Sequence, residues 1–103
     1  MDEQRDPSQA GRKIDLHGLR PEQALRRLFG ALQTARVRGW TEVVVITGRG
    51  WGNDTGVAVL RGVVEAWLRE EQARLVGVKS FSRQSHGGAL DVCLRGRGEA
   101  ERT

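Results

Sequence analysis

The chain has 103 residues, a single cysteine and a formal net charge of +4. This length predicts one domain. A lone cysteine, Cys93, excludes an internal disulfide and a zinc site built from several cysteines, so we expect a reducing, cytoplasmic location. No run of about 18 apolar residues is present, which excludes a membrane-spanning helix, and the polar first residues predict no signal peptide.

The positive charge is carried mainly by arginine, with 15 arginines against two lysines and a sequence pI near 10.5. The planar guanidinium matches phosphate geometry and stacks on bases. This composition therefore favours a nucleic-acid partner. The alternative interpretation is that the arginine excess only reflects a GC-rich genome.

The first predicted element is a strand that ends at Gly18. Ile14 and Leu16 alternate with Asp15 and His17, so the apolar pair faces the core and the polar pair projects together on the other side. The Asp15 carboxylate can hold one tautomer of the His17 imidazole. This makes His17 a candidate general base, general acid or metal ligand. The alternative is a polar strand end that satisfies backbone groups.

A helix is predicted next, over residues 21–38, because Pro21 suits its first position and Gly39 is a suitable stop. Its apolar face contains Ala24, Leu25, Leu28, Phe29, Leu32 and Ala35. The continuous β-branched run over residues 42–47 then predicts a strand that is buried on both faces, as in parallel sheets.

A second helix is predicted over residues 56–73, and two further strands over residues 76–81 and 89–95. The order β-α-β-α-β-β predicts an α/β domain in which the first three strands are parallel neighbours or near neighbours. The fourth strand turns back through the polar loop 82–88. We predict that the domain spans residues 13–96, between a disordered lead-in over residues 1–12 and a flexible tail over residues 97–103.

The loop between the second strand and the second helix is rich in glycine. It contains Thr47, Gly48, Arg49, Gly50 and Trp51. Glycines before a helix N-terminus let backbone N–H groups approach an anion. The arginine supplies a fork for a phosphate, and the tryptophan is placed either to stack on a base or to cap the core. The alternative is a plain turn between a strand and a helix.

A third polar cluster, His86, Gly87 and Gly88, ends the loop between the last two strands. We predict that His86 either joins His17 or contacts a backbone phosphate. The alternative is an exposed loop histidine without a role.

Together these segments resemble the Smr (small MutS-related) domain family. Residues 14–18, Ile-Asp-Leu-His-Gly, resemble the Leu-Asp-Leu-His-Gly motif that opens these domains. Residues 47–50, Thr-Gly-Arg-Gly, resemble their His-Gly-Lys-Gly or Thr-Gly-Arg-Gly loop. Residues 56–68 are similar to the family's Gly-Val-Leu-Arg…Trp-Leu helix, and residues 78–90 resemble its closing segment.

The resemblance implies a two-layer sandwich, with a mixed four-stranded sheet and two helices, like the C-terminal domain of translation initiation factor three. It also implies endonuclease (nicking) activity on DNA or RNA, either at branched DNA or on messenger RNA at the ribosome. The family's usual catalytic candidates map onto Asp15 and His17. Its usual nucleic-acid contact maps onto Gly48, Arg49 and Gly50.

Two departures from the family pattern concern the site. Thr47 stands where a histidine is commoner, and Gly88 runs directly into Ala89 where the closing motif usually reads Gly-Gly-x-Gly-Ala. The histidine of the first motif is similar to that of free-standing Smr proteins rather than to the tail of MutS2 relatives.

Two mechanisms follow for a phosphodiesterase in which His17 moves a proton and Asp15 orients it. With RNA, the 2′-hydroxyl can be the nucleophile and no metal is required. With DNA, water must attack, and a divalent metal (Mg or Mn) on Asp15 is expected. The alternatives are a nucleic-acid-binding module without catalysis, in DNA repair or ribosome rescue, and a protein-interaction adaptor. The sequence leaves the oligomeric state open.

Overall fold

The computed structural model describes residues 12–48, 55–85 and 87–95. Almost all of the predicted lead-in and the whole predicted tail lie outside these ranges. The strands are β1 (Lys13–Asp15), β2 (Glu42–Ile46), β3 (Val78–Arg83) and β4 (Ala89–Leu94), and the helices are α1 (Pro21–Arg38), α2 (Thr55–Leu68) and α3 (Glu71–Leu75). No helix within the described residues is long and apolar enough to cross a membrane.

The four strands form one mixed sheet in the order β1-β2-β4-β3. The first two strands are parallel, and their register places Asp15 beside Ile46. Strand β4 is antiparallel to both of its neighbours, so β3 runs in the same direction as β1 and β2 but is separated from β2. The predicted mixed sheet with a returning last strand is confirmed.

The core lies between the helices and one face of the sheet. Its largest fully buried apolar side chains are Leu16, Leu28, Leu32, Leu90, Val43, Val45, Val64 and Val92. The rings of Phe29 and Trp67 pack edge to face with their centroids 6.3 Å apart, and this contact joins α1 to α2. The helix predicted over residues 21–38 is confirmed, and Gly39 ends it with a left-handed φ of 78°.

The opposite face of the sheet, which we call the open face, carries the exposed and half-buried strand positions. The prediction that the second strand is buried on both faces is therefore wrong. Val43 and Val45 point into the core, whereas Val44 and Ile46 are only half-buried. The β-branched run reflects strand propensity here, and one layer of helices covers only one face.

The prediction of a single second helix over residues 56–73 is also wrong, because α2 ends at Leu68 and a separate helix follows. Glu70 has an extended backbone (φ −86°, ψ 164°), and α3 begins after it. In an unbroken helix, Ala73 would lie on roughly the opposite side from Leu60. The break lets both side chains enter the core, where they are 0% and 3% exposed. The third strand then begins at Val78, two residues later than predicted.

Candidate functional site

The Asp15–His17 pair forms at the end of β1. His17 Nδ1 lies 2.6 Å from Asp15 Oδ1, and the backbone N–H of His17 donates to the same oxygen at 3.1 Å. The intervening Leu16 is fully buried, and its N–H donates to the Ile46 carbonyl at 2.7 Å. The predicted strand up to Gly18 is shorter than expected, because β1 ends at Asp15 and His17 lies in the turn that follows. The buried Leu16 leaves Asp15 and His17 exposed, and the turn brings them together.

The chemistry of the pair fixes the proton on one imidazole nitrogen. An ionised carboxylate only accepts hydrogen bonds, so Nδ1 donates to Asp15 and Nε2 of the neutral ring carries the lone pair. The side-chain hydrogen bond from His17 is the main cause that lowers the pKa of Asp15, followed by the hydrogen bond from the His17 backbone N–H, and the charge of Arg27 adds to it. With the His17 side chain 66% exposed and that of Asp15 50% exposed, the pair is open to a substrate.

The ends of β2 and of the β3–β4 loop meet at this pair. Gly48 has a φ of 96°, and a Cβ atom at this position would lie 3.2 Å from His17 Cβ. The N–H groups of Thr47 and Gly48 both donate to the Gly88 carbonyl at 3.0 Å. The structure thus brings together described parts of all three sequence clusters, because Gly48 lies close to His17 and its N–H is bonded to the Gly88 carbonyl.

The first turn of α2 also lies close to Gly48. A Cβ atom at Gly48 would be 4.0 Å from Val57 Cγ2. The first turn of this 14-residue helix contains no acidic residue, so no side chain of that turn opposes an anion attracted by the positive end of the helix dipole. His17 Cβ and Val57 Cγ2 therefore both lie within 4.0 Å of the single position that a Gly48 Cβ atom would take.

Several predicted contact residues fall outside the described ranges. These are Arg49, Gly50, Trp51 and His86, and their roles stay predictions. Within the described ranges, Thr47 is fully buried, so its side chain lies beneath the surface. Gly87 is in a left-handed conformation with a φ of 82°, and its N–H closes the turn on the Gln84 carbonyl at 2.9 Å.

Sequence reasoning missed two residues of α2 that hold the β3–β4 loop. Arg61 Nη1 donates to the Gly87 carbonyl at 3.2 Å. Glu65 accepts from Arg83 Nε at 2.7 Å and from Arg83 Nη2 at 3.2 Å, and this two-point contact is the main cause that lowers the pKa of Glu65. The two positions are four residues apart on one helix face. Charged residues next to the apolar positions Leu60 and Val64 were the available signal.

The described residues do not gather a set of metal ligands. No group of three or more histidine, cysteine, aspartate or glutamate side chains that could hold a metal ion occurs among them. At the pair itself they offer one carboxylate, whose Oδ1 already accepts from His17. We therefore derive no step through a metal from these residues, and the predicted Mg or Mn ion stays a prediction.

Comparisons with known proteins agree on one family. The profile of the Smr domain family matches residues 14–95. Among solved structures, the Smr domain of Thermus thermophilus MutS2 is 30% identical with a TM-score of 0.62, and the match covers 82% of this chain and 98% of that one. The human small-MutS related domain is 31% identical with a TM-score of 0.56, over 79% and 98% of the two chains.

A third similar structure is YdaL, a stand-alone small MutS-related protein from Escherichia coli. It has a TM-score of 0.68 at 24% identity, which shows a shared fold, and the match covers 82% of this chain. The chain spans only 65% of the length of YdaL. No curated protein matches the sequence.

Proposed function

This chain belongs to the Smr domain family, and we propose that it cleaves phosphodiester bonds of nucleic acids at the Asp15–His17 pair. Smr domains bind nucleic acids. The observation that carries the proposal is the 2.6 Å contact between Asp15 and His17, which leaves Nε2 of an exposed imidazole as the proton acceptor. General base catalysis requires such a nitrogen, held in one tautomer by a carboxylate.

The position of the pair supports phosphate as the group that is bound. Both His17 and the first turn of α2 lie close to Gly48, and helix N-termini attract anions through their unpaired N–H groups and dipole. A phosphate between the helix and His17 Nε2 would therefore have both charge stabilisation and a base. Arg49, the predicted phosphate fork, follows Gly48 directly in the sequence.

With an RNA substrate, His17 Nε2 takes the proton of the 2′-hydroxyl. The 2′-oxygen then bonds to phosphorus, the bond from phosphorus to the 5′-oxygen breaks, and the leaving 5′-oxygen takes a proton from solvent water, to which His17 later returns the proton that it accepted. The products are a 2′,3′-cyclic phosphate and a 5′-hydroxyl. With a DNA substrate, His17 would instead take a proton from water, which bonds to phosphorus as a P–O ester bond breaks. The RNA reaction needs no group beyond the pair and the phosphate site.

One observation favours a second function, that of a binding module without catalysis. Asp15 Oδ1 accepts from both the side chain and the backbone N–H of His17, and this arrangement also shapes the turn at Gly18. In a binding module the pair would only form the wall of the phosphate site. Binding driven by phosphates should weaken steeply as salt rises, whereas an adaptor for a protein partner such as a ribosomal protein would keep its affinity.

The deciding experiment compares cleavage by the wild type with cleavage by His17→Ala and Asp15→Asn proteins. End-labelled single-stranded RNA, duplex DNA and branched DNA are each incubated with magnesium, manganese or EDTA. Glu71→Gln is the matched control for Asp15→Asn, because the Glu71 side chain is 74% exposed and lies on α3. We expect RNA cleavage that persists in EDTA and ends in a cyclic phosphate. Cleavage that survives His17→Ala would contradict the proposal, and salt-sensitive binding without cleavage would support the binding module.

A further inference from the structure

A shallow groove lies on the open face of the sheet, directly beside the Asp15–His17 pair. It has a volume of about 420 Å³, and its floor and rim include Val44, Ile46, Gly48, Gly88 and Ala89. Two of these residues, Gly48 and Gly88, also belong to the candidate phosphate site. The groove and the pair are therefore parts of one continuous surface.

The floor of the groove is apolar although it is not part of the core. Val44 and Ile46 are half-buried on the face that carries no described helix, and Ile46 is the register neighbour of Asp15. Ala89 is the register neighbour of Ile46 on β4. Two adjacent strands, β2 and β4, thus place aliphatic side chains next to an exposed polar pair, and a planar apolar group would gain free energy by covering them.

The rim of the groove carries polar groups suited to the edge of a base. Gln84 lies on the side towards β3, and its Nε2 donates to Asp91 Oδ1 at 2.9 Å, which fixes the amide. Lys13 lies on the side towards β1. A ligand that is flat and apolar on its faces, polar at its edge and attached to a phosphate matches this combination, and a nucleotide has all of these properties.

We infer that this groove binds an unpaired nucleobase of the substrate, next to the phosphate held at the Asp15–His17 pair. The inference rests on the proposed function and narrows its substrate class. A base inside a duplex would have to leave the stack and lose its pairing to reach Val44 and Ile46, which is unfavourable. The domain therefore selects single-stranded or splayed-out nucleotides over continuous duplex.

The test separates base binding from phosphate binding. A short single-stranded oligonucleotide is compared with an abasic oligonucleotide of the same length, which keeps every phosphate and lacks the bases. We expect the wild type to bind the base-bearing probe about fivefold or more tightly. Val44→Gln places a polar amide on the floor without changing the net charge, so it should abolish this preference and leave abasic binding unchanged.

Val37→Gln is the matched control, because Val37 is 70% exposed on α1 and is not among the residues of the groove. It should keep the preference. A methyl NMR spectrum of the wild type adds a readout that needs no variant: the Val44 resonances should shift with the base-bearing probe and stay in place with the abasic one.

Each other result overturns the inference in a recognisable way. Equal binding of both probes by the wild type would exclude base binding in the groove and remain consistent with phosphate binding at the Asp15–His17 pair. A preference that survives Val44→Gln would place the base elsewhere. A wild-type dimer that Val44→Gln dissociates, without loss of the base preference, would assign the groove to a second copy of the chain. Binding of neither probe would overturn the proposed function together with the groove.

Discussion

Two side-chain pairs, each containing one carboxylate, have almost equal contact distances but differ in how exposed their carboxylates are. The Asp15–His17 contact is 2.6 Å and the Glu65–Arg83 contact is 2.7 Å. The first pair has side chains that are 50% and 66% exposed, whereas in the second the Glu65 carboxylate side chain is 8% exposed and the Arg83 side chain is 60% exposed. We call them the exposed pair and the buried pair after their carboxylates. Solvent-exposed pairs contribute about 0–1 kcal/mol to stability, but a buried carboxylate depends strongly on its partner. Length alone therefore does not distinguish the two pairs, and burial does.

The difference separates two tasks within one small domain. Glu65 on α2 and Arg83 on β3 join the helix layer to the sheet, and Arg61 extends this connection to Gly87. Gly87 precedes Gly88, which accepts from the backbone of Gly48 beside the exposed pair. The buried pair thus supports the loop against which the exposed pair is placed. We expect changes in the exposed pair to affect chemistry and changes in the buried pair to affect stability.

The largest expected effect is the loss of cleavage on changing His17 to alanine. Removal of a positioned general base typically costs on the order of 10²-fold or more in rate, while the exposed side chain contributes little to the fold. We predict at least a hundredfold lower kcat/KM and a free energy of unfolding within about 0.5 kcal/mol of the wild type. Initial rates and urea unfolding measure the two quantities. A variant that unfolds readily would contradict the separation of tasks.

The second prediction concerns Glu65→Gln. This change removes the charge from a buried side chain and weakens two hydrogen bonds to a guanidinium, so we expect about 1–3 kcal/mol lower free energy of unfolding. Arg83→Gln should destabilise the protein more, because it leaves the buried Glu65 carboxylate without its partner. Urea unfolding of both variants and of the double variant gives the coupling between the two residues. Unchanged stability in all three proteins would show that the pair does not join the layers.

The third prediction uses two glycines with left-handed backbones. Gly48→Ala should cost about 1–2 kcal/mol through backbone strain, and its Cβ would also press on His17 at 3.2 Å. A displaced base should lower the rate by about tenfold. Gly77→Ala is the matched control, because Gly77 has a φ of 106° and its Cβ would meet only Arg36 Cδ, at 3.9 Å. It should lose similar stability and keep its rate. Equal rates for the two variants would mean that Gly48 does not position His17.

The sequence predicted the exposed pair better than the buried one, for a physical reason. Asp15 and His17 are two residues apart at the end of β1, so local structure is enough to place them together. Glu65 and Arg83 are 18 residues apart on different elements, and only tertiary packing brings them into contact. The same holds for the strand order, because local patterns do not show that β4 lies between β2 and β3. The end of α2 at Leu68 was missed because the helical spacing of apolar residues does not by itself show where a helix ends against the core.

The smallest expected effect is a difference between the two pairs in how they make the free energy of unfolding depend on pH. The pKa values of both carboxyls are lowered, in each case mainly by the side-chain hydrogen bond of the partner. A group with a lowered folded-state pKa contributes stability above its unfolded-state pKa and loses it as the pH falls through the folded-state value. For Glu65, this loss begins below its ordinary value of 4.5. The free energy of unfolding of the wild type should therefore decrease as the pH is lowered from 5 to 3.

Glu65→Gln should reduce this decrease in the free energy of unfolding at low pH, because it removes a carboxylate whose charged form the fold stabilises. Asp15→Asn should change it less, since solvent screens the exposed pair. Urea unfolding of the three proteins at several pH values between 3 and 7 makes the comparison. If Asp15→Asn reduced the loss of stability at low pH more than Glu65→Gln does, the assignment of stability to the buried pair would be reversed. The pair at the end of β1 would then stabilise the fold, and burial would not explain how the two pairs divide their tasks.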